Sequence, residues 1–286
     1  IDELEPRLEV KLFHRRRSGT ALTSAGEDLY ERARSMQHFA DDIERSVRAR
    51  DQREEGLVSV ASPDGVGSLW VAPRVSTFLE RNPRIQLSLD CLIGPAAPDS
   101  QARPDITIAL DKSRAEIGDD TSTLATLHYV LAAAPTYVET YGLPASAASA
   151  AGDHRTLRQT GQISQQEVWG KRATAVASLA FAFETNSSAA MVAALRAGAG
   201  VATVPTYLFT LAPELTLIGA EPSTPIKLWL IVHREARNAA RVQRVAEWLK
   251  SIFDTRVHPW FREEFVAPEN FSAPQEPKKP VRRSKS

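Results

Sequence analysis

The 286-residue chain has one cysteine, two methionines, no excess of charge and no run near the roughly 18 consecutive apolar residues of a membrane span. A lone Cys91 excludes an internal disulfide framework and any cysteine-based zinc site within the chain. It sits in an apolar, strand-like run and reads as a buried, inert thiol. Lys plus Arg and Asp plus Glu stand at 35 each, so the whole chain carries no electrostatic bias toward nucleic acid. There is no nucleophile elbow, no phosphate-loop lysine motif and no His pair at metal-ligand spacing. His38, His128, His154, His233 and His258 are scattered and read as surface or core residues. Gly198-Ala-Gly200 has the spacing of a dinucleotide turn but follows a helical pattern and precedes a strand, the reverse of the order that chemistry needs. Trp169 and Gly170 lie in a polar stretch and read as ordinary packing. These absences argue against an enzyme, a bound metal or a cofactor.

A chain of this length makes about two domains of roughly 150 residues, and 43% apolar residues suffices for real cores. The first 26 residues, IDELEPRLEVKLFHRRRSGTALTSAG, are the most informative. Leu4, Leu8 and Leu12 form an apolar helical face that runs into Phe13, then the basic cluster His14 to Arg17, a Gly-containing turn and a Thr-Ser helix start. That order suits a small DNA-binding module: a helix for a groove, cations for phosphate, a wing for backbone contact. A solvated charge run is the plainer reading of His14 to Arg17 taken alone.

The matched positions Ile1, Leu4, Glu5, Leu8, Val10, Leu12, Phe13, Arg15, Leu22, Thr23, Ala25 and Gly26 resemble the end of the winged helix-turn-helix of LysR-type transcriptional regulators. Two positions depart from that pattern. Glu9 stands where the family has glycine to turn the chain out of a helix, at a left-handed position that costs roughly 1–2 kcal/mol for another residue. Pro6 lies inside the same helix and biases Glu5 away from helical angles. The resemblance implies DNA contacts from Arg7, Lys11, Arg15, Arg16, Arg17 and Thr23, with Arg15 to Arg17 on phosphate, supplying affinity rather than sequence choice. It also implies about one further helix pair ahead of Ile1, so residues 1–26 are expected to be the C-terminal part of the DNA-binding domain, with weak or no DNA binding of their own.

Residues 24–54 read as a dimerisation linker helix. Ser24 with Glu27 three residues on has the form of a capping box. Leu29, Ala33, Met36, Ala40, Ile43 and Val47 then recur at alternating four- and three-residue spacing, the a/d seam of a coiled coil. An amphipathic helix lying on its own domain is the bland alternative; the narrow seam and charged flanks favour a partner helix. In the resembled family this helix makes the dimer, so two wings address two half-sites.

Beyond Gly56 strands and helices alternate. A strand at Leu57 to Ala61 is followed by a helix at Leu69 to Arg81, then strands at Ile85 to Ile93, Asp105 to Leu110 and Leu127 to Ala134. Tyr137 to Leu143 reads as a short helix, and Ala145 to Ala151 as a helix or a loose linker. Ala180 to Glu184 is a strand, Ser187 to Arg196 a helix closed by Gly198, and Val201 to Val204 a buried strand ended by Pro205. Ile226 to His233 and Ala240 to Phe253 return to the strand-helix form of the first half. The pattern predicts an α/β fold with parallel, doubly wound sheets. Its runs Leu195 to Pro205 and Leu228 to His233 also resemble the two-lobed effector domain of the LysR family, itself similar to periplasmic solute-binding proteins. Lobe I is expected over 57–134 and 226–260, and lobe II over 135–225. The tail 266–286, rich in Pro, Ser and charge with a basic end at Lys278 to Lys285, is expected to be disordered.

A two-lobed cleft holds small ligands with helix N-termini and turn hydroxyls. Ser62, Asp64, Asn186, Ser187, Thr136 at the first crossing and Thr206 after Pro205 are the candidate effector-binding residues, each also the residue type of an ordinary helix cap or turn. Asp64 suits an amine-bearing or neutral ligand better than an anion. The resemblance implies an effector-responsive regulator whose partners are operator DNA, a small molecule and a second or further copies of itself, a dimer or tetramer, in the cytoplasm with no membrane. A solute-binding receptor without DNA-binding function is the alternative, and a two-lobed enzyme a third.

Overall fold

A computed structural model of the chain describes residues 4–16, 19–48, 54–92, 103–144, 154–160, 181–219 and 225–271. Arg17, Ala145 to Ala151, Trp169, Gly170 and the basic tail end lie outside the described residues, as do the side chains of Arg15, Arg16, His38, Ile43 and Val47.

The N-terminal segment is a short helix α1 (Leu4–Leu8) leading into an antiparallel hairpin of β1 (Phe13–Arg16) and β2 (Gly19–Leu22). Glu5 ties the two together. Its carboxylate accepts the Leu12 and Phe13 backbone N–H groups at 2.8 and 3.2 Å and pairs with the Lys11 ammonium at 3.1 Å. The Leu12 N–H bond above all, helped by Lys11, holds its pKa below the ordinary value. Pro6 is accommodated because it lies in the first turn, where an N–H has no intrahelical partner. Glu9 has φ 53°, the only positive φ outside glycine among the described residues, as the family pattern implied.

The long helix α2 runs Ser24–Arg48. Its cap is Thr23 rather than Ser24: the Thr23 hydroxyl accepts from Gly26 N at 3.0 Å and donates to Lys11 O at 2.7 Å. Gly26 has no side chain to reach back, so the helix begins with a simple hydroxyl cap and not with the capping box suggested by Ser24 and Glu27. A single hydroxyl here joins helix start and wing.

Lobe I begins with β3 (Gly56–Pro63). Helical residues follow as a single turn α3 (Asp64–Val66), a π-turn Gly67–Val71, a 3-10 turn Ala72–Arg74 and α4 (Val75–Arg81). Then come β4 (Ile85–Leu92), β5 (Ile106–Ala109) and β6 (Asp120–Leu127). The chain crosses at His128 into β7 (Tyr129–Ala133), followed in lobe II by α5 (Pro135–Tyr141), β8 (Thr156–Gln159), β9 (Phe181–Thr185), α6 (Ser188–Arg196), β10 (Val201–Pro205) and β11 (Thr216–Ile218). It returns through β12 (Ile226–Val232) and α7 (Ala240–Ile252).

Each lobe is a five-stranded sheet, ordered β4-β3-β5-β12-β6 and β11-β7-β10-β8-β9. Neither is wholly parallel. β12 runs antiparallel to both β5 and β6, and β7 antiparallel to both β10 and β11. These are the strands that receive the chain from the other lobe, and entering from the hinge reverses their direction. The expected strand Leu127 to Ala134 is split by that crossing, so β7 belongs to the lobe II sheet and the lobe boundary falls at His128, not at 134.

Lobe I closes on Val58, Val60, Ile106, Ile108, Leu228 and Leu230 from the sheet, with Val242, Val245 and Leu249 from one face of α7. Trp70, fully buried, sits at their centre, its indole donating to Ile252 O at 2.9 Å. Lobe II closes on Val130, Leu157, Met191, Leu195, Val204 and Leu208. The segment after α7 is ordered through Phe271, so the expected disorder from 266 is corrected. Trp260 and Phe261 are buried in the lobe I core, Phe265 packs on the lobe II core and on the His128 ring at 5.7 Å, and Phe271 stacks on Trp260 at 5.1 Å. His128 Nε2 donates to Arg262 O at 3.0 Å, which pins this strap to the hinge.

Two outcomes follow from these packings. Glu9→Gly relieves a left-handed turn and should raise stability by about 1 kcal/mol, seen as a higher thermal midpoint; an unchanged midpoint would mean the turn is unstrained. Burial, with the Arg74 charge beside it, pushes the His258 imidazole down to about 4. An unfolded histidine titrates near about 6.5, so this packing stabilises the fold above that pH and its contribution is lost as pH falls from there toward 4. A plot of midpoint against pH should be shallower across that window in His258→Gln; equal slopes would show that His258 does not set it.

Candidate functional site

The parallel strands of both lobes run toward the hinge, so their C-terminal ends face each other across an interlobe cleft. In open α/β sheets this edge is where ligands sit, because loops and helix N-termini converge there. From lobe I come the end of β3 and the helical turn that follows it. From lobe II come the ends of β8, β9 and β10 and the start of α6.

The contact between them is specific. Asp64 Oδ2 accepts the Ser188 backbone N–H at 2.6 Å, so a lobe I carboxylate caps a lobe II helix. Gln159 Nε2 donates to Ser188 Oγ at 2.7 Å, and the Tyr207 hydroxyl donates to Gly65 O at 2.9 Å. A Cβ on Gly65 would lie 2.9 Å from Ser188 Oγ, so a larger residue there would push the Ser188 hydroxyl out of its place. Burial, with Tyr129 and Asp64 nearby, raises the Tyr207 pKa well above its ordinary value and keeps the hydroxyl a neutral donor. Beneath the turn, half-buried Cys91 has its thiol pKa pushed up by burial, with Asp64 and Asp90 adding to it.

Of the residues singled out from sequence, Ser62, Asp64 and Ser187 meet at this edge. Ser62 is fully buried and its hydroxyl donates to Pro63 O at 3.2 Å, while Ser187 is the N-cap of α6 and accepts from Ala190 N at 3.3 Å. Asn186 is exposed beside it. Thr206 is buried at the hinge, its N–H donating to His128 O. Thr136 is not in the cleft: it starts α5 at the far end of the lobe II sheet, packed near Gly198. The crossing lies at His128, ahead of β7, and not at Thr136 beyond it. The sequence marks Ser188, with Asn186 and Ser187, as opening α6 and Gly65 as a turn residue after β3, but gives no local sign of Gln159 or Tyr207.

A second polar constellation joins Thr107 Oγ1 to His233 Nε2 at 2.8 Å, and His233 Nδ1 to Asp119 Oδ2 at 3.0 Å. The hydroxyl-imidazole-carboxylate order is that of a nucleophilic triad. Here it lies at the other end of the lobe I sheet from the cleft with all three side chains shut from solvent, and Asp119 is also held by Arg103 at 2.9 Å. The network fastens β5 to the end of β12. Among the described residues no group of three or more His, Cys, Asp or Glu is placed to hold a metal ion.

In the N-terminal segment, Arg7 is exposed, Lys11 pairs with Glu5, and the Thr23 hydroxyl is engaged as a cap. On α2 the described seam residues Ala33, Met36 and Ala40 face solvent, Met36 at 74% exposure, while Leu29 is half-buried. No helix among the described residues is long and apolar enough to cross a membrane.

Residues 51–254 match the LysR substrate binding domain. Similar proteins include an HTH-type transcriptional regulator of Xanthomonas campestris, 29% identical over 153 residues that make up 50% of this chain and 41% of that protein. The HTH-type transcriptional activator AaeR of Escherichia coli is 26% identical over 207 residues, 72% of this chain and 66% of that protein. The match to YofA of Bacillus subtilis, 31% identical, spans 32% of this chain and 31% of that regulator, so the chain covers less than half of the Xanthomonas regulator and of YofA. Among solved structures, CrgA of Neisseria meningitidis aligns over 89% of this chain and 87% of its own with TM-score 0.59 and 20% identity. The full-length Vibrio cholerae activator AphB aligns over 87% of each chain with TM-score 0.58 and 15% identity. The fold is thus that of LysR regulatory proteins, with two mixed sheets and helices in an α/β arrangement like that of periplasmic binding proteins. Since the substrate binding domain model matches most of its length, this chain belongs to the LysR family.

Proposed function

We propose that the chain is the dimerising and sensing part of a DNA-binding transcription regulator, in which a small molecule held between the lobes alters the placement of paired wings. The observation that carries this reading is the converging edge of two sheets joined by two crossings, with a helix N-terminus of one lobe facing the first turn of the other. A ligand bound there contacts both lobes and so favours one relative placement over another, which is the differential affinity that a switch requires. That relatives in the family are named transcriptional regulators supports it over a solute receptor or an enzyme.

In this reading Ser62, Asp64, Asn186 and Ser187 line the ligand site with Gln159 and Ser188, and Thr206 senses the hinge. Arg7, Lys11, Arg15, Arg16 and Arg17 contact the DNA backbone, while Thr23 acts on the interface by holding the wing to α2. Leu29, Ala33, Met36, Ala40, Ile43 and Val47 form the seam with a second copy, and solvent-facing Met36 is a knob without a hole within its own chain. The protein works in the cytoplasm, as a dimer or tetramer.

Thermal-shift screening against small metabolites tests the sensing role: a specific ligand at 100 times its Kd should stabilise the fold by about 2.7 kcal/mol, and a complete failure of metabolites to shift the midpoint counts against it. Light scattering tests the seam. Met36→Glu places like charges opposite one another and should convert dimers to monomers at micromolar concentration; a monomeric parent, or a variant that stays dimeric, would remove α2 as the interface.

A further inference from the structure

The α6 N-terminus is already occupied by the chain itself. Exposed N–H groups in a helix's first turn, with the dipole behind them, attract a carboxylate. On this nine-residue helix the Ser188 N–H points at Asp64 Oδ2, 2.6 Å away in the other lobe, and the Ala190 N–H goes to the Ser187 hydroxyl. The neighbouring contacts hold the same closure. Ser188 Oγ is taken by Gln159, Tyr207 reaches back to Gly65 O, and the missing Cβ of Gly65 leaves room for Ser188.

We infer that Asp64 is a tethered ligand, which closes the cleft without an effector and sets the class of effector that enters. A carboxylate on the same chain competes at a high effective concentration, because its translational freedom was lost on folding. A free carboxylate at millimolar concentration does not displace it. Among the described residues no Lys or Arg pairs with Asp64, so an entering molecule meets a fixed negative charge. The class admitted is neutral or amine-bearing, and small carboxylates are excluded. Asp64 is thus a specificity-determining residue, and the strap of Trp260, Phe261 and Phe265 keeps the hinge within the range over which it can reach.

This deepens the reading of the cleft as a ligand site, yet the latch depends only on the two lobes, so it can be tested without DNA or a known effector. Thermal unfolding and small-angle scattering of the whole chain, as wild type, Asp64→Ala and Asp64→Asn, are compared in sodium acetate and in sodium chloride of equal ionic strength. Asp64→Ala should lower the midpoint by about 3 °C or more and enlarge the radius of gyration, and acetate should reverse both saturably while leaving the wild type unmoved. Asp64→Asn, which keeps the shape without the charge, should also lose midpoint but show no response to acetate, since its amide still fills the space. Equal midpoints for wild type and Asp64→Asn, or acetate acting alike on wild type and Asp64→Ala, would overturn the latch. A folded Asp64→Ala protein that acetate does not rescue would overturn it as well. None of these outcomes alters the metabolite screen, which stands or falls separately.

Discussion

The burial of Trp70 is the interaction on which the rest of the molecule depends. Its ring meets Tyr207 of lobe II at 5.6 Å, Phe253 at 6.3 Å, Trp260 at 5.8 Å and Phe261 at 4.9 Å, with the Arg74 guanidinium 3.2 Å from its centroid. One side chain therefore packs against both lobes and the C-terminal strap. It belongs to the π-turn that follows Asp64, and such turns re-aim a helix at a functional position. Anchoring the indole fixes where that turn begins, and hence where the Asp64 carboxylate points. Arg74 is held there by its bond to Trp70 O at 2.8 Å, and desolvation lowers its pKa to about 10, so the cation remains charged at neutral pH.

The hinge follows the same logic. The first crossing between lobes passes through His128, whose Nε2 donates to Arg262 O and whose ring lies against Phe265. A two-lobed protein with bare crossings swings freely; here buried aromatic surface is shared between lobes behind the hinge, and a charged hydrogen bond joins them in front of it. Rotation must break at least one of these. Sensing in such a molecule is better described as a balance between two packed arrangements than as free opening and closing.

The N-terminal helix and hairpin show how a small element is held without a core. Leu12 is its one buried apolar residue among those described, and Leu4, Leu8 and Val10 remain exposed. Its order comes from polar bonds instead: Glu5 satisfies two wing N–H groups, and Thr23 links wing to helix. Gly26 completes it, since a Cβ there would lie 2.1 Å from Leu12 O.

Much of this was legible in the chain. The heptad spacing of α2, the strand-helix returns, the left-handed Glu9 and the position of Asp64 and Ser187 at helix starts are local, and periodicity, caps and matched spacing carry them. What escaped was nonlocal. The strands β6, β8 and β11 are short or polar and acquire strand character only from neighbours in a sheet. The crossing at His128 falls inside a mostly apolar run, Leu124 to Ala134, where alternation cannot register a change of sheet, so the sequence alone sets Thr136 at the crossing when it lies at the far end of lobe II. The Pro-rich strap reads as loose chain until Trp260 and Phe271 find the ring of aromatics that buries them. The amino-acid sequence by itself determined the family, the alternation of elements and the residue types at the cleft edge. Only tertiary packing decided that Asp64 of one lobe caps a helix of the other, because Asp64 and Ser188, 124 positions apart in the chain, meet through two sheets and a hinge that no local pattern encodes.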